Sequence, residues 1–241
     1  MKKIKIGALM LARSGSSFPN KNIMNIMGYP VMAYGMLAAK ETGLIDHFYL
    51  SSDSDKYLKI GERYGYNPIK RPDNLSKSSS KSDDAVLHAY EKNDILKKCD
   101  ILIVQHANVV TIYPELIIKS IKALMSNDSI SSVVPAHINN EYNPYRSFIL
   151  NNNSIEPFIN FNSDISPNRQ DLPDAYFLDH SFWCIKTNNI LSNHNFCSWN
   201  SLGKKILPLK TEGMFDIHSK SDITKSIKWL NDNKEILRYL K

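Results

Sequence analysis

The sequence predicts an α/β fold, a three-layer α/β/α arrangement around a mostly parallel central sheet. Three observations carry this. Short apolar runs alternate with segments of helical periodicity through the first half of the chain. Each apolar run ends in a polar loop, as strands buried on both faces do. The chain has 241 residues, 42% of them hydrophobic, which suits one domain with a sizeable core. Strand and helix in alternation imply parallel strands joined by crossovers. Ligands of such sheets bind beyond the carboxyl ends of the strands.

Taken in order, residues 4–11 form a short apolar run and read as the first buried strand. Lysines followed by apolar residues over positions 1–13 superficially resemble a secretion signal. Lys5 interrupts that stretch, and no small-residue cleavage site follows it. A helix is expected over residues 30–42, with Pro30 in its first turn and Gly43 as its stop. Phe48, Tyr49 and Leu50 form the next strand. Asp53 or Ser54 then caps a helix through Tyr64, and Gly65 ends it. Residues 101–104 make a third strand, Pro114 opens a helix to about Ser126, and Ser132, Val133 and Val134 make a fourth strand.

From 138 to 173 asparagine is dense, prolines recur and helical periodicity disappears. Tyr142, Tyr145, Phe148, Phe158 and Phe161 give this stretch apolar anchors. It therefore reads as an extended arm rather than a loose linker. The expected organisation is one domain, 1–241, with the arm inserted over 138–185. Later strands are expected at 176–185 and 206–209. Ser219 with Asp222 marks a capping-box start for a last helix running towards Leu240.

The net charge of +6 comes from scattered lysines. No Lys/Arg block is interleaved with aromatics, so no nucleic-acid groove is expected. No run of about 18 apolar residues occurs, so no membrane span is expected. Cys99, Cys184 and Cys197 have no CxxC spacing. Three unpatterned cysteines fit reduced thiols in a cytoplasm, packed as small buried residues.

The chemistry concentrates directly after the first strand, in Ala12-Arg13-Ser14-Gly15-Ser16-Ser17-Phe18-Pro19-Asn20-Lys21-Asn22. Small residues let backbone N–H groups approach an anion closely, and Gly15 permits a turn. Arg13 offers phosphate oxygens a fork, and Lys21 offers a point charge. The segment is neither GxxxxGK[ST] nor GxGxxG.

This loop, Ala-Arg-x-Gly-Ser and then Pro-x-Lys-Asn, resembles the opening loop of the acylneuraminate cytidylyltransferases, the CMP-sialic acid synthetases. Further segments line up in order over nearly the whole chain. They are Ser51-Ser52-Asp53-Ser54, Arg71-Pro72 with Leu75 and a serine-rich stretch, residues 82–89 with His88, and Gln105. Arg169-Gln170-Asp171-Leu172-Pro173 and Phe215-Asp216-Ile217 follow.

The resemblance implies a Rossmann-like nucleotide-diphosphosugar transferase fold and a reaction. The anomeric hydroxyl of a nonulosonic sugar acid attacks the α-phosphorus of CTP, and pyrophosphate leaves. It implies Mg²⁺, with Mn²⁺ as a second possibility, and a homodimer whose arm crosses to the partner. It assigns Arg13 and Lys21 to the triphosphate as catalytic residues. Ala12, Ser14, Gly15, Ser16, Asn22, Arg71 and Ser82 go to the nucleotide, and Gln105 and Arg169 to the sugar acid. Asp216 would hold the metal. Asp53 is explained equally by helix capping, Arg169 equally by a surface ion pair, and His88 reads as a packed helix residue.

Two departures stand out. The family's closing motif has two aspartates, whereas this chain has Asp216 and His218; Mg²⁺ prefers oxygen ligands. The family's Gln-Pro-Thr-Ser-Pro is here Gln105-His106-Ala107-Asn108-Val109. These leave open a different carboxylated or phosphonated acceptor, or an inactive nucleotide-binding homologue. The sister family acting on the eight-carbon acid Kdo carries an aspartate where Ala107 stands and Lys-Pro where Lys21-Asn22 stands, which disfavours that reading.

Overall fold

The computed structural model describes residues 3–15, 18–159, 166, 168–192, 196–214 and 216–240. Its strands are β1 (Ile6–Leu11), β2 (Asn25–Ile26), β3 (Tyr29–Pro30), β4 (His47–Ser52), β5 (Asn67–Lys70) and β6 (Ile101–His106). There follow β7 (Ser132–Ile138), β8 (Phe148–Asn151), β9 (Ser154–Pro157), β10 (Tyr176–Leu178), β11 (Phe182–Lys186) and β12 (Ile206–Lys210). The helices are α1 (Val31–Glu41), α2 (Asp55–Arg63), α3 (Ser82–Lys92), α4 (Pro114–Ser126) and α5 (Lys220–Asp232).

Among the described residues eight strands form the central sheet in the order β10-β7-β11-β6-β1-β4-β5, with β12 also paired to β7. β1 is parallel to β4 and β6, β4 to β5, and β12 to β7. β10 and β11 run antiparallel to their neighbours. The sheet is thus mostly parallel, as the alternation of elements predicts.

Every residue of β1 is buried because the strand has helices on both faces. Ala8 and Met10 join Ile101 and Ile103 on one face, packed with Val31 and Met32 of α1, Ile117 and Ile121 of α4, and Leu230 of α5. Leu9 and Leu11 join Leu102 and Val104 on the other, packed with Ala85, Val86 and Ala89 of α3. Each such large side chain contributes about 1.5–3 kcal/mol of burial.

The differences from expectation have local causes. Pro30 caps α1 in an extended conformation instead of entering its first turn. β5 was not anticipated: it carries Pro68 and buries only Ile69, as an edge strand can. The run expected at 176–185 is broken, because the backbone at Asp179 donates to Pro135 O and Ser181 O accepts from His106 N. The last helix stops at Asp232, short of Leu240. Its sequel still packs against the core through Leu237, and Tyr239 Oη donates to Ile112 O at 2.8 Å. Gly43 (φ +63) and Gly65 (φ +78) stop α1 and α2 in the left-handed conformation.

The arm contains the hairpin β8–β9, turned by Asn152 and Asn153 at φ +46 and +68. Asparagine tolerates that region, as two-residue hairpin turns require. The hairpin is exposed throughout, including Phe148, Ile149, Leu150 and Ile155. Its apolar side chains do not pack on the domain that bears them. Phe161 lies outside the described residues. Among the described residues no helix is long and apolar enough to cross a membrane.

Candidate active site

The segments after β1, β5 and β6 converge at the carboxyl edge of the sheet around a cavity of about 260 Å³. Arg13, Lys21 and Asn22 enter it from the first loop, Arg71 from the residue after β5, and Ser80, Lys81 and Ser82 from the start of α3. His106 and Asn108 line it from the end of β6, and His218 from the approach to α5.

The first loop is held in shape mainly by hydrogen bonds. Ala12 is buried and donates its N–H to Ser51 O at 3.0 Å. The Ser14 N–H donates to Asp53 Oδ1 at 2.9 Å, and the Ser14 hydroxyl donates to Asp53 Oδ2. Asp53 therefore ties the loop to the end of β4. It does not cap α2, whose N-cap Ser54 has no side-chain capping bond either. Burial alone would raise the Asp53 carboxyl, but the Ser14 bonds and the Arg71 charge outweigh it and hold it below the usual range. Asn22 donates to Arg13 O at 3.0 Å. Gly15 is outside the left-handed region and an added Cβ would meet nothing within 4 Å, so the turn does not depend on it. Asn20, at φ +56, takes the left-handed position instead. Ser16 lies outside the described residues.

Among the described residues four cationic side chains line the cavity, Arg13, Lys21, Arg71 and Lys81. Arg71 is 5% exposed, donating from Nη2 to Ser51 O at 3.2 Å, and its Nε has no partner. Burial pulls its pKa down to about 10, Asp53 opposes this and Arg13 adds to it, so it remains charged at neutral pH. Arg13 donates to Lys77 O at 2.7 Å. Lys21 is 8% exposed, and burial holds its ammonium below the ordinary lysine range; Asp216 opposes, Arg13 adds to the shift and Asp222 opposes.

A polar chain runs on from Lys21. Its Nζ lies 3.2 Å from His218 Nδ1, His218 Nε2 contacts Asp216 Oδ2, and Asn108 Nδ2 donates to the same oxygen at 3.0 Å. Lysine can only donate and carboxylate only accept, so His218 carries its proton on Nε2. Among the described residues no three His, Cys, Asp or Glu side chains group to hold a metal ion. One carboxylate fits a divalent ion that takes its remaining ligands from phosphates and water.

Several expected site residues lie elsewhere. Gln105 is fully buried inside β6, its carbonyl accepting from Tyr66 Oη at 2.7 Å and its amide donating to Gly35 O at 2.6 Å. It is a core cross-link, not a cavity residue. Its neighbour His106 points to the opposite face and reaches the cavity. Burial lowers the His106 pKa to about 4, with His180 adding and Asp216 opposing, so the ring is neutral. Arg169 pairs with Glu141 at the surface, away from the cavity. Ala12 and Ser14 hold the loop in shape without lining the cavity, and Gly15 does not line it either. His88 sits on α3 outside it, its pKa lowered by burial and then by Lys92 and Arg71. Cys99 and Cys184 are buried and Cys197 is half-buried, all free thiols. His106, Asn108 and Lys81 were missed as site residues. The clue to the first two was the polar sequence following the third apolar run.

A family model described as cytidylyltransferase matches residues 8–196. Over 171 residues the chain is 29% identical to the pseudaminic acid cytidylyltransferase of Campylobacter jejuni, covering 68% of this chain and 71% of that one. It is 28% identical over 232 residues to the post-translational flagellin modification protein B of Campylobacter coli, covering 93% and 94%. The N-acylneuraminate cytidylyltransferase of Escherichia coli is 33% identical over 88 residues, covering 36% and 21%. Among solved structures, CMP:2-keto-3-deoxy-manno-octonic acid synthetase complexed with CTP superposes with a TM-score of 0.70 at 13% identity, covering 95% and 99%. The 4-diphosphocytidyl-2C-methyl-D-erythritol synthase of Anaerococcus prevotii gives 0.63 at 16%, covering 95% and 96%. At those identities the two structures speak to the fold alone. The family match spans most of the chain, including the first loop, Arg71 and Ser82, and on that ground the chain belongs to the cytidylyltransferase family.

Proposed function

We propose that this protein transfers CMP from CTP to the anomeric hydroxyl of a nonulosonic, sialic-acid-like sugar acid and releases pyrophosphate. The observation that carries this is the meeting of Arg13, Lys21 and Arg71 around one cavity at the carboxyl edge of the sheet. Phosphoryl transfer needs charge neutralisation and in-line positioning more than covalent catalysis. Arg13 and Lys21 stabilise the triphosphate, while Asn22 and Asp53 hold the loop that carries them. Arg71 and Ser82, which also line the cavity, receive the nucleotide. The names of the matched relatives support a sugar acid of the pseudaminic or neuraminic type as acceptor.

Magnesium is the cofactor of this reading, with manganese as the alternative. Asp216 would hold it, and when bound it neutralises phosphate charge. Glycan synthesis is the use such an activated sugar serves, in a cytoplasmic setting. The exposed β8–β9 hairpin is the proposed contact of a homodimer, in which Arg169 would meet the acceptor carboxylate of the partner's site.

The test is pyrophosphate release from CTP with Mg²⁺ or Mn²⁺ against pseudaminate, legionaminate, N-acetylneuraminate, the deaminated nine-carbon acid and Kdo. Release is expected with a nine-carbon acid and not with Kdo. Silence across the panel with CTP still bound moves the acceptor outside the known sugar acids. Absence of CTP binding overturns the enzyme reading in favour of an inactive homologue.

A further inference from the structure

Residues 216–218 read acid, apolar, imidazole, and the fold uses them as it would a strand. Asp216 forms an isolated antiparallel bridge with Val109, and the Ile217 N–H donates to Asn108 O at 2.9 Å. Ile217 is fully buried, which turns its two neighbours to the other side. There they meet the end of β6: Asn108 and His218 both line the cavity, together with Lys21. The backbone of His218 is fixed from the other direction as well. Its N–H and that of Ser219 donate to Asp222 Oδ2 at 3.0 and 2.9 Å in the cap of α5.

The ring is engaged at both nitrogens. Lys21 Nζ lies 3.2 Å from Nδ1, and Nε2 contacts Asp216 Oδ2. The side chain is 60% exposed, so these two contacts and not packing hold the ring. With its proton on Nε2 the imidazole satisfies both neighbours, accepting from the ammonium and donating to the carboxylate. The opposite tautomer would set donor against donor and acceptor against acceptor. In the bridging form neither nitrogen has a lone pair to offer a metal ion. Asn108 Nδ2 donates to the same Oδ2 at 3.0 Å, so both bonds converge on one carboxylate oxygen and neither uses Oδ1. A carboxylate held through one oxygen presents the other in a fixed direction, which is how outer-shell partners orient metal ligands.

We propose that His218 is a positioning residue that ties the Lys21 ammonium to the Asp216 carboxylate through its two ring nitrogens, and that it orients the metal-binding carboxylate instead of ligating the ion. This rests on the transfer reading above for the roles of Lys21 and Asp216. His218 thereby couples the phosphate-binding lysine to the metal-binding aspartate: a displacement of either is passed to the other through one rigid ring.

The experiment reads the ring tautomer in the full, nitrogen-15-labelled chain by NMR at about pH 8, where free imidazole is neutral. The signal is assigned by its loss in His218→Asn. The Nε2–H tautomer is expected in the metal-free chain, and again after Mg²⁺ and a non-reacting α,β-methylene analogue of CTP are added. The opposite tautomer in the metal-free chain overturns the bridge. Loss of the Nε2 proton on adding Mg²⁺ makes His218 a ligand and overturns the positioning role. Calorimetric affinity for the analogue with Mg²⁺ is the second readout, on variants whose circular dichroism matches the wild type. His218→Ala should weaken it about fivefold. His218→Asn, whose Oδ1 can still accept from Lys21, should recover part of that loss. In a Lys21→Met background His218→Ala should cost a smaller factor than in the wild type, because residues that act through one contact are not additive. Equal losses in the two backgrounds overturn the coupling. A wild type that shows the Nε2–H tautomer yet releases no pyrophosphate with any acid upholds the bridge and overturns the transfer reading instead.

Discussion

Arg13 donates to Lys77 O from a loop that Asp53 and Asn22 hold in place, so its guanidinium is oriented before any ligand arrives. If that charge serves mainly the transition state, Arg13→Ala reduces kcat/KM at least about a hundredfold, read by pyrophosphate release. An unchanged rate would remove the first loop from the chemistry. Lys21 gives a second, independent check. Burial, aided by Arg13 and opposed by Asp216 and Asp222, holds its ammonium below the ordinary range. A bound triphosphate favours the charged form again, so CTP binding takes up protons in the alkaline range below the ordinary lysine value of about 10.4. Calorimetry at about pH 9 in buffers of different ionisation heat measures this uptake. Lys21→Arg, always protonated, should lack it. At this scale the sequence was readable where chemistry sits in a loop: Arg13, Lys21, Arg71 and Ser82 all reach the cavity. It misled at Gln105. Successive strand residues point to opposite faces, and without the pairing of β6 to its neighbours nothing in the sequence says that Gln105 faces Tyr66 and His106 the cavity.

Elements were legible in proportion to what they bury. β1 and β6, apolar along their length, were plain, whereas β5, with one buried residue and a proline, was not. The end of α5 was overextended because Ile236, Leu237 and Leu240 keep an apolar pattern while packing outside a helix. Its start was readable from Ser219 and Asp222, which form the complete capping box. Ser219→Ala should cost about 1 kcal/mol in urea unfolding. Burial alone would raise the Asp222 carboxyl, but bonds from the Ser219 hydroxyl and the His218 and Ser219 N–H groups, with Lys225 nearby, hold it low. A carboxyl lowered in the folded state stabilises fully above its unfolded value of about 3.9, and that gain disappears as pH falls through the folded value. The stability gap between wild type and Asp222→Asn should therefore be widest near neutral pH and narrow only below the ordinary carboxylate value of about 3.9, as pH falls through the lowered folded value.

Across the whole molecule, the dense asparagines and scattered aromatics of residues 138–173 pointed to an arm. That its apolar side chains stay exposed required the fold, since composition says how much must be covered and not by what. Leu150 is 72% and Ile155 64% exposed on adjacent strands of one hairpin. If a second copy covers them, the wild type sediments as a dimer, and Leu150→Lys with Ile155→Lys yields a monomer of unchanged circular dichroism. A wild type that sediments as a monomer removes the dimer from the functional reading. The crowding of Arg13, Lys21 and Arg71 has a further effect, on turnover. Arg13 lowers the proton affinity of both other groups, so it repels each of them until an anion binds. Any polyphosphate relieves that repulsion, and the pyrophosphate made in each cycle is one. It should compete with CTP for the free protein, so that a pyrophosphatase added to the assay speeds the steady state and leaves the first turnover unaltered.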